Sequence, residues 1–197
     1  MITIYSFVQS KIAELNEGSS WSRAMLAKLR RGVGKIPGEL PDILGYMLIG
    51  APEKWDSFDG KPSKEELAVY NALTLYALHQ QGKTEIMNIS GKDENGKGSG
   101  ASFGTACGRL VKAGSENLTA IKKRFDAVIT SIDFNEFVYH ARGIIQLLKS
   151  NDITFDYPRF AEDMYRFQFA EQQNRIRLKW GEDFYRVIHK INIIGEN

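Results

Sequence analysis

Apolar residues recur along this chain at helical spacing, while the strict alternation that marks a strand is almost absent. Phe7, Val8, Ile12 and Leu15 form a first short stripe. In the next segment, SRAMLAKLRRGVGK at 22–35, Met25, Leu26 and Leu29 join Trp21 on one side of a helix, with Ser19 or Ser20 as its cap. A third helix is predicted from near Pro41, carrying Ile43, Leu44, Met47 and Leu48. Ser63 with Glu66 three residues on is a capping box, opening a helix through Leu67, Tyr70, Leu73, Thr74 and Ala77. From Gln81 to Gly100 the pattern lapses. The run GKDENGKGSG has four glycines, charges of both signs and nothing apolar to bury, which predicts a mobile loop. Helices resume at about 102–113, 118–129, 134–149, 156–169 and 174–191. Phe134, Val138, Ala141, Ile145 and Leu148 keep one steady stripe, and Ile176, Trp180, Phe184, Val187, Ile188 and Ile191 another. Only 86–90 reads as a short strand. The expectation is an all-α protein of two small helical bundles, 1–98 and 99–197, divided at the glycine-rich loop.

Composition narrows the class. At 197 residues, 43% hydrophobic and 11% aromatic, the chain can bury a core and is not a disordered tail. A single cysteine leaves no disulfide framework. The first residues lack a basic leader and a small-residue cleavage site, and no stretch approaches the ~18 consecutive apolar residues of a membrane span. A cytoplasmic protein with no membrane partner is expected.

Charge changes the picture more. The net charge is only +2, yet 22–35 holds Arg23, Lys28, Arg30, Arg31 and Lys35 with no acid. Gly32 and Gly34 end that helix, and their missing side chains would let a polyanion approach the backbone. A second acid-poor cluster holds Arg109, Lys112, Lys122, Lys123 and Arg124 against Glu116 alone. Arg142 lies at the edge of its helix's stripe, within reach of a neighbouring groove. A solvated helix face would show the same charges, but two such clusters on one helical scaffold suit a phosphodiester backbone, bound with little sequence preference and strong salt dependence. Aromatic residues are sparse in both, so stacking on bases should contribute less than phosphate contacts. The last helix differs: Lys179 with Asp183 and Glu182 with Arg186 sit at i,i+4 and answer each other. Arg177 falls on its apolar side and calls for a buried carboxylate or an inter-subunit contact.

Catalytic chemistry finds little support. His79, His140 and His189 are scattered, with no second ligand at metal spacing. Cys107 reads as a small core residue; Arg109 and Lys112 would lower its pKa, but no base partner is evident. Gly96-Lys97-Gly98-Ser99-Gly100 lacks the spacing and ending of a phosphate loop. The adjacent acids Glu65-Glu66, Glu162-Asp163 and Glu182-Asp183 diverge on their helices and read as solvated surface. No enzyme activity, metal or cofactor is expected.

Five blocks in order carry a resemblance: AKLRRG at 27–32, LTLYALHQ at 73–80, SFGTA at 102–106, Phe155-Asp156-Tyr157 through Met164-Tyr165-Arg166, and KWGEDFY at 179–185. Together they resemble the CasB-type small subunit of the type I-E CRISPR Cascade surveillance complex, over nearly the whole chain. The resemblance implies an all-helical, non-enzymatic subunit that pairs with a second copy of itself. Its implied partners are the Cascade subunits CasA, CasC, CasD and CasE, with guide RNA and target DNA. It implies a role in antiviral defence: stabilising the R-loop by holding the guide–target heteroduplex and the displaced strand. R-loop formation is nearly balanced in energy, so such contacts can tip it. The family's basic patch falls on Arg30, Arg31, Arg124 and Arg142. The acids at 93–94 make a DNA-tracking role for the glycine-rich loop doubtful. A helical transcriptional regulator is the alternative, although the 31–41 connection is long and glycine-rich for a helix-turn-helix. A metal-dependent helical nuclease is a third reading, which cleavage by the purified chain would establish.

Overall fold

Capping residues set where the helices begin. In the computed structural model, which describes residues 2–57, 59–91, 100–112 and 116–195, Thr3 and Ser6 form a reciprocal cap on α1 (Ile4–Leu15). Ser19 caps α2 (Ser20–Arg31), accepting from the Ser22 N–H at 3.0 Å. Proline at its first position opens α3 (Pro41–Leu48). The Ser63–Glu66 box starts α4 (Lys64–Gln80) as expected. Beyond the glycine-rich segment come α5 (Phe103–Arg109), α6 (Leu118–Ile129), α7 (Phe134–Ser150), α8 (Tyr157–Phe167) and α9 (Ala170–Gly195). Every regular element among the described residues is helical. The 86–90 run makes only an isolated parallel bridge between Asn88 and Phe155.

α4 is the hub. Ala68 to Ala77 are buried without interruption, so this helix is apolar all round and not one-sided as its stripe suggested. α2, α7 and α8 pack on it, and α8 also packs on α1, so elements from the two halves of the chain meet around one continuous apolar cluster. The boundary expected at 98–99 falls among residues 92–99, outside those described, as do the lysines of the glycine-rich loop.

α5 lies very close to α9 because Gly104 and Gly108 face it; a methyl group on Gly104 would collide with the Trp180 backbone. Phe103, Phe160 and Trp180 stack behind that contact, with Phe103 and Phe160 4.7 Å apart. This rigid interior supports the surface helices α2, α6 and α7, where the candidate residues lie.

Candidate nucleic-acid interface

α6 and α7 are consecutive helices packed together and joined by a turn at 130–133. Asp133 caps α7 through the Glu136 N–H, and Glu136 accepts in return from the Ile132 N–H, which fixes the α7 entry angle. On α6, Ala120, Lys123, Arg124 and Ala127 recur at i, i+3, i+4, i+7; on α7, Tyr139, Arg142, Gly143 and Gln146 do the same. Each helix therefore gives one face to a shared open groove of about 670 Å³. Its small residues leave depth, and Lys123, Arg124 and Arg142 are exposed along it. None of the three makes an ion pair among the described residues.

A second groove, of about 400 Å³, runs between α2 and the turn after α4 and is lined by Arg23, Arg30 and Lys83. Arg23 donates to the Gly18 carbonyl at 2.7 Å, while Lys83 pairs with exposed Asp152 at 2.5 Å. Lys149, on the last turn of α7, donates to Gln81 at 3.0 Å. Partial burial, then the like charges of Lys83 and Arg30, hold its ammonium below the ordinary lysine value. At the other end, the Arg142 guanidinium lies 3.8 Å from where a Gly34 side chain would begin, and Gly34 has φ +80°. Lys149 and Arg142 thus link the two grooves along α7 into one basic face.

The remaining candidates are placed differently. Arg31 pairs with Asp42 at 3.1 Å and Lys35 with Glu39 at 3.5 Å. The Ile36 N–H, helped by Lys35, holds the Glu39 carboxyl below the usual carboxylate range. Lys122 is answered by Asp126 on the next turn. Lys28, Arg109 and Lys112 line neither groove. Gly32 does not offer backbone to a polyanion: it is buried, its carbonyl accepts from the Tyr70 hydroxyl at 3.0 Å, and a Cβ there would meet that hydroxyl at 2.7 Å. Trp21, expected on the apolar side, is half exposed and packs edge-on against Tyr46. Sequence reasoning passed over Lys83, Lys149 and Tyr139; Lys149 stands seven residues after Arg142, a spacing that itself signals a shared helix face.

The family model of CRISPR-associated protein Cse2 matches residues 25–185. The chain belongs to the Cse2 family. Among solved structures, CasB from Thermobifida fusca is 30% identical with a TM-score of 0.72, over 94% of this chain and 99% of that one. CasB from M. ruber is 20% identical with a TM-score of 0.66, covering 98% and 99%. A chain in a CRISPR RNA-guided surveillance complex shares the fold at 15% identity, with a TM-score of 0.68 over 96% and 97%. No curated protein sequence matches the chain.

The titratable groups elsewhere in this Cse2 chain are largely structural. His79 is buried, with Nδ1 3.0 Å from the Tyr157 hydroxyl, and burial pushes its pKa down to about 4, so its ring is neutral at physiological pH. Cys107 is a core residue, and burial pushes its thiol up instead of Arg109 and Lys112 drawing it down. Two of the adjacent acids are not solvated surface. Asp163 is buried and accepts from the Trp180 indole at 2.8 Å; Asp183 accepts from Ser102 at 2.6 Å, within 4 Å of Arg159 and Lys179. Arg186 turns to Asp183 at 3.1 Å, in place of the Glu182 pairing expected. Arg177 finds a backbone partner, donating to the Ser131 carbonyl at 2.9 Å, in place of the buried carboxylate that was one of its two expected partners. No group of three or more His, Cys, Asp or Glu among the described residues is arranged to hold a metal, and no helix there is long and apolar enough to cross a membrane.

Proposed function

We propose that this chain is a non-catalytic small subunit of a type I-E CRISPR Cascade complex, binding strand phosphates to stabilise the R-loop in antiviral defence. The observation that carries the reading is the basic face along α7, with Arg30 at one end and Lys123, Arg124 and Arg142 at the other, unanswered by carboxylates among the described residues. Fixed cations on a rigid helical surface attract phosphate without reading bases, and contacts of this kind favour an opened duplex over a closed one. Family membership and the shared fold with a chain of an RNA-guided surveillance complex support the same assignment. Its partners in this reading are guide RNA, target DNA, a second copy of the chain, and the CasA, CasC, CasD and CasE subunits. A helix-turn-helix regulator fits less well, since residues 32–40 separate α2 from α3.

The test is R-loop lifetime in a reconstituted complex carrying Arg30→Ala with Arg142→Ala. A shorter lifetime with assembly intact is the expected result. A lifetime equal to that of the natural chain, with undiminished single-strand binding, overturns the reading.

A further inference from the structure

Tyr139 is the most exposed aromatic side chain among the described residues, at 73%, and it lines the α6–α7 groove together with Lys123, Arg124 and Arg142. What sets this ring apart is its placement among the groove cations, where its π-face is open to a ligand. Here its only ring neighbour is His140, edge-on at 5.2 Å and 72°, so one face of the phenol is left uncovered by any aromatic among the described residues. His140 Nε2 in turn lies 3.7 Å from the Glu136 carboxylate, one turn earlier on the same helix. The groove therefore pairs cations with a stacking surface, the combination by which proteins hold single strands.

Resting on the phosphate-binding reading above, we propose that Tyr139 stacks on an unpaired base, making the α6–α7 groove a site for single-stranded nucleic acid and not for duplex. Lys123, Arg124 and Arg142 hold the flanking phosphates while the base lies on the Tyr139 ring. A duplex keeps its base faces inside the stack and can offer this groove only phosphate, whereas a displaced strand offers both. The sequence gives no warning of this, because Tyr139 lies fifteen residues from Arg124 and becomes its neighbour only when α6 and α7 pack.

Gly143 allows an independent check of the groove itself. It lines the groove, and a Cβ added there meets nothing within 4 Å, so the first atom of a Gly143→Leu side chain enters the groove without a clash.

The experiment compares binding of the full chain to a short oligothymidylate and to an abasic strand of equal length, at low salt. The natural chain should prefer the oligothymidylate by about fivefold, the lower end of what one stacked base contributes. Tyr139→Leu should abolish that preference while leaving abasic-strand binding intact, Tyr139→Trp should keep it, and Gly143→Leu should weaken both strands. Equal binding of the two strands by the natural chain overturns the stacking proposal and leaves phosphate binding standing. Failure to bind either strand overturns both.

Discussion

The end of α2 and the α6–α7 groove carry similar charge in the sequence and very different charge in the fold. At the end of α2, Arg31 and Lys35 reach acids at the start of α3, Asp42 in its first turn and Glu39 just before it. In the groove, Lys123, Arg124 and Arg142 stand without a carboxylate among the described residues. A count of basic residues therefore overstates the first region. What matters for a polyanion is the charge left unanswered after folding, and by that measure Arg30, which looks toward Lys149 and Lys83, outranks Arg31 beside it.

The largest effect should come from dividing the two regions by mutation. Arg124→Ala with Arg142→Ala is expected to weaken single-strand binding about ten- to hundredfold, two solvent-exposed contacts at roughly 0.7–1.4 kcal/mol each. Arg31→Ala with Lys35→Ala should weaken it several times less, measured by fluorescence anisotropy at one fixed salt. Equal losses would erase the distinction.

Much of the helical layout is readable from residue patterns, because caps such as Ser19, Ser63 and Asp133 act within a single turn. The candidate grooves are less readable, since they depend on which helices become neighbours. Asp42 lies eleven residues from Arg31, and Arg142 meets Gly34 across more than half the chain. The same distance explains the misreading of Asp163, whose Trp180 partner is on another helix, and hides the Arg177 partner, a carbonyl in the α6–α7 turn.

Two glycines sharpen the contrast at the level of stability. Gly32→Ala places a methyl against the Tyr70 hydroxyl, with Ile43 and Thr74 at 3.0 Å, and should cost about 1–3 kcal/mol. Gly143→Ala, in open space on α7, should instead stabilise by up to ~1 kcal/mol through helix propensity. Opposite shifts of the urea midpoint are expected; a neutral Gly32→Ala would place Gly32 at the surface, where it was first expected.

The smallest effect concerns the answered pairs. Arg31 and Asp42 are both more than half exposed, 61% and 58%, so their bond is worth well under about 1 kcal/mol and can be exchanged for phosphate. Asp42→Asn should therefore tighten single-strand binding only about twofold, and lower the thermal midpoint by no more than about 2–4 °C, the shift of ~1 kcal/mol in a chain of this size. A gain as large as the loss from the groove variant would mean that α2, not α6–α7, is the dominant contact.

The central claim is that groove cations meet strand phosphates, and the salt dependence of single-strand binding tests it most directly. Each phosphate contact contributes about −0.7 to the slope of log affinity against log salt for a single strand. Replacing Lys123, Arg124 and Arg142 together by alanine should make that slope shallower by roughly 2, three contacts at this value each. A slope identical to that of the natural chain would contradict the account.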